Sequence, residues 1–225
     1  MSTLIAKRLT HIFDQGDQKV TAVDAIDLHI ESGSFITITG RSGSGKSTLL
    51  YHLAGLLHPT SGSLTYDGID PYSLSPAERN RFRAEQIGIL YPDFRLLPYL
   101  TVAENIATPS LAIPLSVSDK LSRTSELIEH FGLEHRCLHL PGALSSGEQQ
   151  RTALARALFN EPKIIIADEP TGNLDEENSI TITNTLKQYA ALGNTVIVAT
   201  HDPIITKLAD LSIYLKEGSI LPSHT

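Results

Sequence analysis

The stretch SFITITGRSGSGKSTLLYHLAGLL, residues 34–57, decides the fold. Its first six residues, 34–39, are uncharged and, after Ser34, apolar or β-branched, and they read as a buried strand. From Lys46 onward the leucines fall at helical spacing. Between the two, Gly40–Thr48 matches G-x-x-x-x-G-K-[ST]. A strand, a glycine-rich turn and a helix form the context in which this pattern has a mechanism. Glycines let successive backbone N–H groups curl round a phosphate, and the helix N-terminus adds its positive end. Lys46 then reaches the β- and γ-phosphates of a nucleotide, and the Ser47 hydroxyl is placed to ligate Mg²⁺.

Working outward, residues 2–9 and 20–30 alternate apolar and polar side chains and read as antiparallel strands around a turn at Asp14–Asp17. A short strand is expected at 62–68. Three helix starts are written as capping sequences: Ser75 with Glu78, Thr101 with Glu104, and Ser116 with Asp119. From about 95 to 158 the character is helical, with Leu121, Thr124, Leu127, Ile128 and Phe131 on one face of a helix. Then alternation resumes: strand 163–167, helix 176–192, strand 195–199, helix 203–209, strand 211–215. Strands separated by helices predict an α/β fold with a mostly parallel sheet. The expected whole is one domain over 1–225, with an N-terminal antiparallel β subdomain and an α-helical subdomain inserted at about 95–158.

Composition narrows the function. A length of 225 residues, 41% of them hydrophobic, is ample for one buried core. No apolar run approaches the roughly 20 residues that span a bilayer. Lys7 and Arg8 interrupt the N-terminal apolar stretch and argue against a targeting segment. A single cysteine, Cys137, fits a reducing cytoplasm, and a net charge of −7 disfavours a nucleic-acid partner.

Two strand ends carry further chemistry. IIIADEP, 164–170, delivers Asp168 and Glu169 to the C-terminal edge of a buried strand, where α/β sheets bind ligands. Asp168 suits a Mg²⁺ shell, and Glu169 suits a general base acting on water. VATHDP, 198–203, brings His201 toward the same crevice. LSSGEQQRTALARAL, 144–158, is a glycine turn entering a helix with Arg151 and Arg156 on its polar side.

Together these motifs resemble an ABC-type ATP-binding cassette, with a P-loop NTPase core. Gly40–Thr48 (Gly40, Arg41, Ser42, Gly43, Ser44, Gly45, Lys46, Ser47, Thr48) resembles its Walker A, LSSGEQ its signature, and IIIADEPTGNLD its Walker B and D-loop. PTGNLD, LLPYLTVAEN and SGSGKSTLL are most similar to the branch that includes lipoprotein-release, macrolide-export and FtsE-like ATPases. The resemblance implies ATP and Mg²⁺ as ligands, Phe13 as the adenine-stacking aromatic and His201 as the switch histidine. It implies a head-to-tail homodimer in which Ser145, Gly147 and Glu148 face the partner's γ-phosphate and Asp175 crosses the interface. It also implies a separate transmembrane permease and a peripheral position on the inner face of the cell membrane. The family's usual signature has Gly where Ser146 stands and Gln where Glu148 stands. Glu148 therefore adds a negative charge expected near ATP.

Against this background IGILYPDF, 87–94, departs from the pattern. Pro92 stands where the family carries the Q-loop glutamine, and proline offers neither a side-chain oxygen nor an N–H. Three readings stay open: water fills the vacant ligand position, Asp93 supplies an oxygen, or the chain binds ATP and turns it over weakly as a regulatory cassette. Two other patterns have blander readings. HRCLH, 135–139, lacks a fourth ligand for a metal, and ERNRFR, 78–83, reads as a solvated helix face.

Overall fold

The computed structural model describes residues 3–14, 16, 18–172 and 174–221. Gln15 and Asp17 of the expected first turn, Ser2 of the first strand and Asn173 of the D-loop lie outside the described residues. The chain runs β1 (Leu4–Asp14), β2 (Lys19–Ile30), β3 (Phe35–Thr39), α1 (Lys46–Leu53), β4 (Ser61–Tyr66), α2 (Pro76–Gln86) and β5 (Ile87–Leu90). Three helices follow: α3 (Val102–Ala107), α4 (Val117–His130) and α5 (Ser146–Leu158). It ends with β6 (Ile164–Asp168), α6 (Glu176–Ala191), β7 (Thr195–Ala199), α7 (Pro203–Leu208), β8 (Leu211–Lys216) and β9 (Ser219–Leu221).

The strands form two sheets. The larger has the order β5-β6-β7-β3-β8-β9 and is parallel through β8. The smaller is antiparallel, in the order β2-β1-β4. This is the mostly parallel α/β core with an N-terminal antiparallel sheet that the alternation predicts. All five residues of β6 and of β7 are buried, as expected of central parallel strands covered on both faces. One apolar cluster joins β1, β2 and α1 to one face of the large sheet, through Leu9, Val23, Leu49, Leu53, Ile38 and Ile197. The other joins the opposite face to α3, α5 and α6, through Ile106, Leu154, Leu186, Ile165 and Val198.

Several boundaries differ from expectation, each for a local reason. The helix after the glycine loop ends at Leu53, not Leu57, because Gly55 takes a left-handed φ of 63° and closes it. β4 stops at Tyr66, where Asp67 and Gly68, both at positive φ, turn the chain back on itself. β9 is an addition, joined to β8 across Glu217 and Gly218, again both at positive φ. Leu121 does not join its helix face in the core. It is 63% exposed, while Thr124, Leu127 and Phe131 are buried. HRCLH is not extended, since Glu134–Arg136 form a 3₁₀ turn. Arg81 is on a solvated face as expected, but Arg79 donates to the carbonyls of Pro71 and Leu74, and Arg83 to that of Gly55.

Candidate functional site

β3 delivers the chain to Gly40, which has φ 148° and no room for a side chain; a Cβ there would lie 2.2 Å from the Leu215 carbonyl oxygen. Gly45, φ 101°, is tighter still, with the Ala22 oxygen 2.0 Å from a Cβ. The loop therefore curls against β8 and β2 in a path only glycine can follow. α1 begins at Lys46 with Gly45 as N-cap and no side-chain cap. Its first N–H groups stay available to an anion.

The loop opens on a cleft of about 430 Å³. Ser42, Gly43, Gly45, Lys46, Ser47 and Thr48 line one wall, Asp168, Glu169 and His201 another, and Phe13 with Val20 and Ala22 the rim. Residues from four distant parts of the chain thus meet. Phe13 is 39% exposed and backed by the His11 ring, edge-on at 4.4 Å, which leaves an aromatic surface for a flat partner. Arg41 and Ser44 turn the other way, into a second cleft of about 480 Å³ beside Tyr214 and Lys216. Gly40 lies beneath the loop.

Lys46 is buried, and its Nζ donates to the carbonyls of Gly40 (2.8 Å) and Arg41 (3.2 Å) and meets His201 Nε2 at 3.3 Å. His201 Nε2 also lies 3.5 Å from Glu169 Oε1, so the ring nitrogen stands between the ammonium and the carboxylate. Glu169 follows directly on Asp168 at the end of β6, with a left-handed φ of 46°. Strain of that kind in a non-glycine residue persists where the surroundings enforce it. Here its N–H donates to the Ala199 carbonyl (2.9 Å), and its carboxylate accepts from the main-chain N–H of His201 (3.3 Å). Lys46, His201 and Glu169 are therefore one connected set across the cleft, with Asp168 buried beside them.

Ser145, Gly147, Glu148 and Asp175 do not line this cleft. They form a second group, at the N-terminal ends of α5 and α6. Ser145 caps α5, and the Glu148 carboxylate returns to the Ser145 N–H (2.8 Å) and pairs with Arg136 (2.8 Å). The hydrogen bond from the Ser145 N–H, with Arg136 behind it, holds the Glu148 carboxyl below the usual range. The extra charge expected near ATP is thus neutralised within its own subunit. Asp175 caps α6 through the Asn178 N–H (2.8 Å), a bond that also lowers its pKa. Asn178 accepts from Arg151 (2.5 Å), and its side chain fills the space a Cβ on Gly147 would need.

Some contributors have no sequence motif of their own. Buried Gln150 donates to the Pro170 carbonyl (2.6 Å), and Thr171 to Asp202 (3.0 Å), fixing the turn after Glu169. Arg156 is not a solvated polar-face residue, since it reaches the carbonyls of Phe94 and Arg95. Asp93, beside Pro92, is paired with Arg95 at 3.3 Å.

Comparisons with known proteins agree with this geometry. The family model for ABC transporters matches residues 23–172. The chain is 40% identical to the lipoprotein-releasing system ATP-binding protein LolD 1 of Rhodopirellula baltica, over 97% of this chain and 96% of that one. It is 39% identical to the macrolide export ATP-binding/permease protein MacB of Burkholderia pseudomallei, over 95% of this chain but 33% of that longer protein. It superposes with a TM-score of 0.91 and 36% identity, over 97% of both chains, on a dimeric ATP-binding cassette in a post-hydrolysis state bound to ADP and Pi. With the glycine loop, the paired strand-end carboxylates and these relatives in agreement, the chain belongs to the ABC transporter ATP-binding family and is an ATPase.

Proposed function

We propose that this chain is the ATP-hydrolysing subunit of a transporter, driving a separate membrane permease through ATP-dependent head-to-tail pairing of two copies. The observation that carries this is the separation of two half-sites on one chain. The phosphate loop, Asp168, Glu169 and His201 line one cleft, while Ser145, Gly147 and Asp175 stand together elsewhere. A second copy turned end to end brings the second group over the first. The two relatives above, a lipoprotein-releasing ATP-binding protein and an ATP-binding/permease protein, support the same reading.

In this account Lys46 exchanges its carbonyl partners for the β- and γ-phosphates, and His201, with Nε2 protonated, donates to the γ-phosphate. Glu169, held by its backbone and by His201, accepts the proton of the attacking water. Ser47 and Asp168 would hold Mg²⁺, which neutralises developing phosphate charge when bound. Two protein oxygens suit that ion, which keeps several waters and shares substrate oxygens. Phe13 stacks on the adenine.

No helix among the described residues is long and apolar enough to cross a membrane. Tyr99, Leu111, Val117 and Leu121 are nevertheless exposed around α3 and α4, just past Pro92. Such a patch suits a permease segment, and it supports a peripheral position on the inner membrane face. Pro92 favours one second reading, a regulatory cassette with weak hydrolysis. Asp93 pairs with Arg95 only at an exposed site, so Asp93 and water both stay available to replace the missing glutamine oxygen. Glu169→Gln tests the main reading: at saturating Mg-ATP it should elute as an ATP-bound dimer. A variant that binds ATP yet stays monomeric contradicts it.

A further inference from the structure

The turn that carries Pro92 is clamped by one guanidinium. Arg156, in the last turn of α5, donates from Nη1 to the Arg95 carbonyl and from Nη2 to the Phe94 carbonyl, each at 2.6 Å. Phe94 and Arg95 have φ values of 59° and 47°, two consecutive non-glycine residues in the left-handed region. That conformation is strained for side chains of this size and persists only where surrounding bonds over-determine it. The planar fork of arginine matches two adjacent carbonyls in a way a lysine ammonium does not.

The rest of the turn is closed on itself. The Phe94 N–H donates to the Tyr91 carbonyl (3.1 Å), the Arg95 guanidinium lies over the Tyr91 ring at 4.1 Å, and Arg95 pairs with Asp93. β5 and α5 approach so closely that a Cβ on Gly88 would lie 2.4 Å from the Ala157 carbonyl oxygen. The opposite end of α5 bears Ser145, Gly147 and Glu148. One rigid helix therefore has the signature at its first turn and the Pro92 turn bonded to its last. Burial lowers the Arg156 pKa, yet the guanidinium stays charged, and the two carbonyls are the partners that compensate its desolvation.

We propose that Arg156 is a positioning residue that, through the main-chain carbonyls of Phe94 and Arg95, makes the Pro92–Arg95 turn and the signature helix one moving part. The inference rests on the ATPase reading above. Displacement of α5, when its N-terminus meets a partner's phosphate, is then carried directly into the turn that precedes exposed Leu97 and Tyr99.

The test measures kcat and KM for Mg-ATP in the full chain carrying Arg156→Lys or Arg156→Met. Both should lose about tenfold in kcat with KM within about twofold, because Arg156 lines no part of the nucleotide cleft. Arg156→Lys keeps the charge and most of the stem, and so guards against a simple folding defect. Adding Phe94→Gly and Arg95→Gly to Arg156→Met should leave kcat about tenfold down, since glycine takes the left-handed turn without a clamp but restores no bond to α5. Unchanged kcat in Arg156→Lys and Arg156→Met overturns the proposal. So does a rescue by the glycines, which would show that Arg156 only holds the shape of the turn, or an equal loss of kcat and ATP affinity. A wild-type chain that does not hydrolyse ATP overturns the parent reading as well, whereas active wild type with unaffected Arg156 variants overturns this inference alone.

Discussion

At the scale of single residues, the site works through what its atoms cannot do. Gly45 cannot be replaced, because a Cβ would sit 2.0 Å from the Ala22 oxygen while φ stands at 101°. Gly45→Ala should weaken ATP binding at least a hundredfold by calorimetry while leaving the far-ultraviolet circular dichroism unchanged. Lys46 cannot accept a hydrogen bond, so its buried ammonium is met by acceptors, here the Gly40 and Arg41 carbonyls. Glu169→Gln keeps the shape and removes the base, so kcat should fall by roughly 10²- to 10⁴-fold with ATP affinity retained. These residues were legible in the sequence because spacing and context together announce them. Arg156 and Gln150 were not, because their partners are main-chain carbonyls, and a carbonyl leaves no mark in a sequence. Pro92 was legible only as a departure from a known pattern.

At the scale of elements, caps and burial decide what the site stands on. The capping boxes expected at Ser75–Glu78 and Thr101–Glu104 are both formed, and Ser145–Glu148 adds a third. α3 is held further by Asn105, which is fully buried and bonds the main chain at Leu97, Leu100 and Thr101. Asn105→Ala should cost about 2–4 kcal/mol in urea unfolding, since it strands several buried groups at once. α1 carries a pH signature. Burial lowers His52 from 6.5 to about 4, against a smaller opposing effect of the Leu57 carbonyl. The unfolded chain then binds the extra proton between those values, so stability should fall as pH drops from 6.5 to 4. The contribution is on the order of 3 kcal/mol, and His52→Leu should flatten that slope in melts at pH 7 and pH 5. Periodicity found most elements but missed β9 and overran α1, because paired positive-φ turns and a helix-closing glycine are local events without a period.

At the scale of the whole molecule, the large sheet explains why four distant segments share one cleft. β3, β6 and β7 are adjacent and parallel, so their C-terminal ends bring Gly40, Asp168 and His201 to the same edge. The alternation of strands and helices made that architecture readable in advance, and the structural relatives share it. What no single chain displays is the completed site, because the signature group lies away from the cleft. Complementation between two disabled chains tests this most directly. Lys46→Ala removes the phosphate-loop function and Ser145→Arg blocks the signature, so each alone should hydrolyse ATP at under about a twentieth of the wild-type rate. In a head-to-tail mixed dimer, one composite site pairs the intact loop of one chain with the intact signature of the other. Mixing the two variants in equal amounts should therefore restore on the order of a tenth to a quarter of wild-type activity, given that about half the dimers are mixed and each holds one good site. A mixture no more active than the average of its components would contradict the account.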